Sequence, residues 1–384
     1  MNRVYEFSLP QKLIMGVGAT SEAGQMARCL GSKALIVSDP GIVAAGLTEK
    51  VQQLLNSAKM PSELFDGVEP EPSKEIGDTC ADRVRSCGAD VLIGLGGGSS
   101  LDVAKTAAIV ARHGGPAEKY LGIAKVPGRG LPTLLMPTTS GTGSEVTPIA
   151  VLTDAQENLK KAIVSENLYA NAAIVDPELT VTAPPSVTAS TGLDTLTHAI
   201  EAYTNRFALP FVDTLALQAI TLVGRHLRRA VMCGEDIGAR AGMSLASTYG
   251  GMCLGPVNTA AVHALAYPLG GTYHVSHGVA NSLLLPYVME FNLPACLERY
   301  SQIAAALGER VDHLSCRDAA RRAVDTVREL AEDVGVPLQI RDLDVPKTAI
   351  PDMAKAALEV TRLLKNNPRR LTEADAQRIY EEAY

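Results

Sequence analysis

The chain has 384 residues, 46% hydrophobic and 20% charged, which suits a packed interior of two domains and excludes global disorder. Forty-two acids against 35 bases leave a formal net charge of −7, so wide phosphate neutralisation of a nucleic acid is excluded as its main business. No run of about 18 apolar residues can span a bilayer, MNRVYEFSLPQ lacks an export core, and seven scattered cysteines without a Cys-x-x-Cys pair fit a reducing cytoplasm.

The chain opens on Arg3-Val-Tyr-Glu-Phe-Ser-Leu9, a candidate edge strand for pairing across a two-fold axis in a homodimer or higher homo-oligomer. Short apolar runs follow at 34–37, 90–95, 131–136 and 172–175. They are rich in Val, Ile and Leu and do not alternate, as buried parallel strands do not. Helical patterns lie between them, for example 47–57 and 73–86. The alternation predicts an α/β domain over 1–183 with a parallel sheet covered on both faces.

Three features at strand ends stand out in this half. Asp39 follows the first apolar run, where an acid either holds a ribose diol or simply starts a turn before Pro40-Gly41. Gly96-Gly97-Gly98-Ser99-Ser100 lies between a strand and a helix start, where bare backbone N–H groups and the helix dipole can hold a phosphate. Met136-Pro-Thr-Thr-Ser-Gly-Thr-Gly-Ser-Glu145 is a second polar loop at a strand end, so one extended ligand such as a dinucleotide is expected. The triple glycine is neither Gly-x-Gly-x-x-Gly nor a Gly-Lys-Ser/Thr loop, so neither standard mechanism transfers.

After Pro184-Pro185 the character changes. Helical periodicity runs through 186–205, 211–232, 236–253, 295–308, 315–335 and 372–384, separated by Gly, Pro and Asn. This predicts an all-helical domain over 184–384. Arg225, Arg228 and Arg229 lack interleaved aromatics and read as a solvated helix face, which also sets His226 aside.

Five of the seven histidines fall between positions 198 and 277. Asp194 and His198 are four apart, on one helix face and one turn from each other. His263 lies in a second helical segment and His277 opens a third. One carboxylate with two or three imidazoles from separate helices can enclose a divalent ion. The mixed N/O set suits Fe2+, Zn2+ or Mn2+. Spacing alone does not choose between His274 and His277.

Four segments carry a resemblance to a known family. Gly96-Gly-Gly-Ser-Ser-Leu-Asp-Val-Ala-Lys105, Met136-Pro-Thr-Thr-Ser-Gly-Thr-Gly-Ser-Glu145, Gly192-Leu-Asp-Thr-Leu-Thr-His-Ala-Ile-Glu-Ala202 and His277-Gly resemble the iron-containing (group III) alcohol dehydrogenases. The match runs in order from Leu13-Ile-Met-Gly-Val-Gly18 to about residue 310. It implies a dehydroquinate synthase-like architecture: an α/β dinucleotide-binding domain with a parallel sheet, then an all-α metal-binding domain. The resemblance implies metal ligands at Asp194, His198, His263 and His277, with His274 outside the set. It also implies that Gly96, Gly97, Gly98 and Ser99 hold a pyrophosphate, with Asp102 on the helix behind them. Thr138, Thr139, Thr142 and Ser144 would lie along the nicotinamide nucleotide, Lys160 would sit close to the cofactor, and Asp39 would select NAD(H) over NADP(H).

The expected function is hydride transfer between a small alcohol or aldehyde and NAD(H), assisted by Fe2+, with Zn2+ as the other candidate ion. Zinc polyol dehydrogenases and dehydroquinate-synthase-like lyases are the alternative, disfavoured because they use three protein ligands. One position departs from the family pattern. Many members have a histidine four residues after the third ligand, and here the residue is Tyr267. A phenol, ordinarily titrating near about 10, is a poor base at neutral pH, so Tyr267 is expected to shape the pocket rather than relay a proton.

Overall fold

The structure, a computed structural model, describes residues 4–154 and 159–384. It divides into two compact units, Glu6–Ala183 and Pro184–Tyr384, the latter with Val4 and Tyr5.

Among the described residues the first unit has nine strands: β1 (Lys12–Met15), β2 (Ala34–Val37), β3 (Ser62–Phe65), β4 (Val91–Gly96), β5 (Gly122–Ile123), β6 (Thr133–Pro137), β7 (Ile149–Asp154), β8 (Leu159–Val164) and β9 (Ala172–Val175). Six form a sheet in the order β1-β9-β6-β4-β2-β3, with every pairing parallel. The helices α1 (Ala23–Leu30), α2 (Pro40–Ala44), α3 (Leu47–Ser57), α4 (Lys74–Cys87) and α5 (Gly98–His113) accompany them. The sheet has a core on each face. Leu35, Leu92, Leu101 and Leu135 belong to one, and Ile36, Ile93, Leu134 and Ile174 to the other. This is why the central strands read as continuous apolar runs: both side-chain directions are buried. A three-stranded sheet, β5-β8-β7, stands apart, with β7 antiparallel to β8.

The second unit contains α6 (Pro185–Tyr203), α7 (Pro210–Met232), α8 (Ile237–Leu254), α9 (Ala261–Tyr273), α10 (His277–Asn292), α11 (Leu297–Ala306), α12 (Cys316–Asp333), α13 (Ile350–Leu358), α14 (Thr361–Leu364) and α15 (Glu373–Glu382). Among its described residues there is no strand. α6 is buried along most of its length and packs on α7, α8 and α10. On α7, Arg228 pairs with Asp333 at 2.6 Å and Arg229 pairs with Asp236, so the basic face is exposed but tied by ion pairs. Arg3 lies outside the described residues, and Val4 to Leu9 form no strand within the chain. No described helix is long and apolar enough to cross a membrane.

Candidate active site

Asp194 and His198 lie one turn apart on α6, His263 lies in the first turn of α9, and His277 is the first residue of α10. Asp194 Oδ1 is 3.8 Å from His198 Nε2, 3.8 Å from His263 Nε2 and 3.9 Å from His277 Nε2. One ligand atom from each residue lies within 4.8 Å of all the others. The His198 and His263 rings stack with centroids 4.9 Å apart, and His277 meets His263 edge-on at 5.2 Å. Asp194, His198 and His263 are buried, and His277 is half-buried. Burial pushes the Asp194 carboxyl up, but His198, His277, His263 and the Asn281 amide outweigh it and hold it at about 2. A buried carboxylate facing three imidazole nitrogens is a donor set without a thiolate, and it fits a borderline or hard divalent ion such as Fe2+, Zn2+ or Mn2+. The residues present therefore fit the metal that the sequence implies.

Two further residues complete the cluster and escaped the sequence reading. Glu201, buried on α6, sets its Oε2 2.6 Å from His263 Nδ1, while its Oε1 accepts from the Val262 N–H at 2.6 Å. With Nδ1–H donating to Glu201, the Nε2 lone pair of His263 faces the cluster. The signal was available: Glu201 is seven residues after Asp194 and three after His198, on the same helix face. Asn281, fully buried on α10, donates to Asp194 Oδ1 at 2.8 Å and lies one turn after His277. His274 is exposed, ends α9 with a left-handed φ of 56°, and stands outside the four-residue group.

The polar loops lie together in the first unit. β4 ends at Gly96, whose φ is +153°, and α5 begins two residues later. Gly97, Gly98 and Ser99 are partly exposed at the start of α5, where N–H groups have no helical partner. The Thr138 N–H donates to the Gly96 carbonyl at 2.9 Å. A Cβ built on Gly98 would come within 2.7 Å of Thr142, and one on Gly97 within 3.6 Å of Thr139. The Thr138 hydroxyl is buried and has no hydrogen-bond partner among the described residues. Asp39 caps α2 by accepting from the Ile42 N–H at 3.1 Å, and its Oδ2 accepts from Ser100 Oγ at 3.2 Å. The turn-forming reading is thus realised, and the same carboxylate stands beside the glycine turn.

Three residues implied for the cofactor are engaged within the protein. Ser144 Oγ donates to Asp102 Oδ1 at 2.5 Å, and Asp102 Oδ2 accepts from the Val151 N–H at 2.8 Å, tying loop and β7 to α5. Lys160 is largely buried and pairs with Glu71. Lys105, fully buried beside Asp102, donates to the Ser144 carbonyl at 3.0 Å, and burial pushes its ammonium down. Next to it, burial pushes the Glu145 carboxyl up to about 7 from an ordinary 4.5, with Lys105 pulling the other way. The folded chain therefore binds this proton more tightly than the unfolded chain, a contribution complete below pH 4.5 and lost as pH rises through about 7. Over that window wild type should lose on the order of 3 kcal/mol relative to Glu145→Gln, read from urea melts at each pH. Parallel profiles for the two proteins would refute this.

Comparison with known proteins agrees with both halves of this arrangement. Residues 10–177 match the family described as iron-containing alcohol dehydrogenase, and residues 188–384 match its C-terminal domain. The chain belongs to the iron-containing alcohol dehydrogenase family. It is 42% identical over 374 residues to Long-chain-alcohol dehydrogenase 1 of Geobacillus thermodenitrificans, covering 96% of this chain and 94% of the relative. A solved 1,3-propanediol oxidoreductase superposes with a TM-score of 0.97 at 38% identity, covering 100% of both chains. A sulfoacetaldehyde reductase from Bifidobacterium kashiwanohense, solved in complex with NAD+, superposes with a TM-score of 0.89 at 30% identity, covering 100% of this chain and 99% of that one.

In this iron-containing alcohol dehydrogenase family member, Tyr267 sits on α9 one turn after His263 and packs on Ala264 and Leu363. Arg362, on α14, donates to its hydroxyl at 3.5 Å. Removing the hydroxyl leaves a partly exposed guanidinium that water can serve, and it leaves the ring's packing intact. Tyr267→Phe should change turnover only a few-fold, within about 1.4 kcal/mol of barrier, with the pH profile in place. A hundredfold loss with metal content intact would make the phenol a proton relay.

Proposed function

We propose that the chain is a metal-dependent alcohol dehydrogenase or aldehyde reductase that uses NAD(H) with a small primary alcohol or aldehyde. The grouping of Asp194, His198, His263 and His277, with Glu201 fixing one imidazole, is the observation that carries this reading. Fe2+ is the proposed ion and Zn2+ the other candidate. A bound ion supplies Lewis acidity toward the alcohol or aldehyde oxygen, and bound NAD(H) supplies the hydride chemistry. The chain's own work is positional. Glu201 keeps the His263 proton on Nδ1, so Nε2 stays available to the ion. The start of α5 at Gly97–Ser99 offers N–H groups to a pyrophosphate, and the Thr138 hydroxyl offers a donor beside it. The proton released on alcohol oxidation would leave to water, with no role asked of the Tyr267 phenol. The names of the relatives span long-chain alcohol, 1,3-propanediol and sulfoacetaldehyde, which supports the class of substrate and selects no member of it.

The test is an NADH absorbance trace with a panel of short alcohols and aldehydes, run as purified, after chelation, and after adding back Fe2+ or Zn2+. Turnover that vanishes on chelation and returns with the ion is expected. Full turnover by the chelated, metal-free protein would overturn the reading.

Cofactor preference gives a second test. Asp39 faces the glycine turn, where its charge would repel the 2′-phosphate of NADP(H). Glycine is nearly as good a helix cap as aspartate, costing only a few tenths of a kcal/mol. Asp39→Gly should therefore fold normally while raising the NADP to NAD ratio of kcat/KM roughly tenfold or more, about 1.4 kcal/mol. An unchanged ratio would leave Asp39 as a cap alone.

A further inference from the structure

The second polar loop of the first unit ends on a buried acid that no step above uses. Glu145 is 2% exposed and sits in the 3-10 turn Ser144–Val146. That turn packs on α5 and β6. β6 carries no titratable side chain, whereas α5 brings Asp102 and Lys105, both buried. Lys105 Nζ lies 3.2 Å from Asp102 Oδ1, donates to the Ser144 carbonyl at 3.0 Å and to the Ile149 carbonyl, and reaches Thr147 Oγ1 at 3.5 Å. One buried ammonium thus stands with two buried carboxyls, and these contacts commit it to Asp102 and the loop backbone. A buried carboxylate without a matched partner is costly, so Glu145 is best housed as the neutral acid. Burial pushing its carboxyl up to about 7 agrees with that.

The acid stands directly behind the proposed phosphate cradle. Thr142, against which a Cβ on Gly98 would fall at 2.7 Å, precedes Glu145 by three residues, at most about 11 Å of chain. The Ser144 N–H donates to Thr142 Oγ1 at 3.2 Å, and Ser144 Oγ donates to Asp102 in the first turns of α5, so the acid's neighbour is tied to both loops. A dinucleotide brings two negative charges to this place, and a buried like charge within about 10 Å repels them with little screening. We propose that Glu145 sets cofactor affinity through its charge: as the neutral acid it leaves the loops free to hold a pyrophosphate, and as the carboxylate it opposes one. The proposal rests on reading the two loops as a dinucleotide cradle. Its sign follows from linkage. Bound NAD(H) favours the protonated form, so affinity is full below the Glu145 titration at about 7 and declines as pH rises through it. By reciprocity, binding above that pH draws a proton onto Glu145.

The experiment titrates NADH fluorescence with wild type and Glu145→Gln from about pH 6 to about 8.5, either side of the Glu145 titration. Calorimetry in buffers of different ionisation enthalpy counts the protons exchanged on binding. The wild-type Kd for NADH should rise roughly fivefold or more across that range, with proton uptake on binding above neutrality. Glutamine keeps the shape of the neutral acid, so Glu145→Gln should bind as wild type does at the acid end, stay flatter by that factor as pH rises, and take up fewer protons. Parallel profiles for the two proteins would overturn the proposal while leaving the cradle in place. An affinity for Glu145→Gln far below wild type at the acid end would also overturn it, since the carboxyl would then act by contact and not by charge. Should Glu145→Gln fail to fold, Glu145→Met supplies the uncharged state for the same comparison. A wild-type protein that binds no NADH at any pH overturns the cradle reading and this proposal together.

Discussion

His263→Ala is expected to lose bound metal and turnover together, by a hundredfold or more in kcat/KM, about 2.7 kcal/mol at least. The substitution removes one imidazole of the cluster, and it also strands Glu201. That carboxylate is buried, and its Oε2 has the His263 Nδ1–H as partner at 2.6 Å. A buried acceptor left unpaired costs about 1–3 kcal/mol, more when charged, so His263→Ala should also melt lower than wild type. His277→Ala provides the contrast. His277 is only half-buried, at the first position of α10, so losing its ring removes less buried contact than losing the buried His263 ring. It should lose metal and activity with a smaller effect on stability. Elemental analysis, steady-state rates and melting curves on both variants separate the two effects. Turnover near the wild-type level in either variant, stripped of metal, would remove the cluster from the chemistry.

The central strands were legible because burial on both faces erases alternation, as at Ala34–Val37, Val91–Gly96 and Ala172–Val175. β1, β3, β7 and β8 escaped notice for the converse reason. β1 and β3 lie at the sheet edges with partly exposed side chains, and Lys160 and Lys161 interrupt β8. At the candidate site, a helix turns one spacing into one face, so Asp194 and His198 announced themselves. The choice between His274 and His277 depended on where one helix stops and the next begins. The left-handed φ at His274 marks that break, and periodicity does not carry it. Glu201 and Asn281 look in sequence like ordinary polar residues in apolar helices. Their spacing to Asp194, His198 and His277 was present, but only the fold shows that three helices meet there. At Asp39 one carboxylate both caps α2 and meets Ser100, so a turn-forming acid also stands beside the glycine turn.

Gly96→Ala is expected to damage folding and cofactor binding at once. At φ +153° an L side chain is strained whatever the space around it. The space is also closed: a Cβ would lie 2.5 Å from Ser100 Oγ, 2.7 Å from Ser100 Cβ and 3.2 Å from Asp39 Oδ2. Ser100 is fully buried in the first turn of α5, so it yields only if the helix start moves. Moving it also pulls on the Gly96 carbonyl that accepts from the Thr138 N–H, which transmits the shift to the second loop. Backbone strain of this kind costs about 1–3 kcal/mol, so a lower melting temperature is expected. A KM for NADH raised roughly tenfold or more, about 1.4 kcal/mol, should accompany it, because the N–H groups at the start of α5 are displaced. Gly97→Ala separates strain from contact with the ligand. Gly97 has an ordinary φ of −73°, and its added Cβ would meet nothing nearer than Thr139 at 3.6 Å. It should melt like wild type and, where a pyrophosphate presses against that backbone, still raise the KM. If Gly96→Ala keeps both the wild-type melting temperature and the wild-type KM, the glycine turn is neither strained nor a phosphate cradle. If Gly97→Ala binds NADH as wild type does while Gly96→Ala does not, the cofactor relies on the shape of the loop and not on close approach at Gly97.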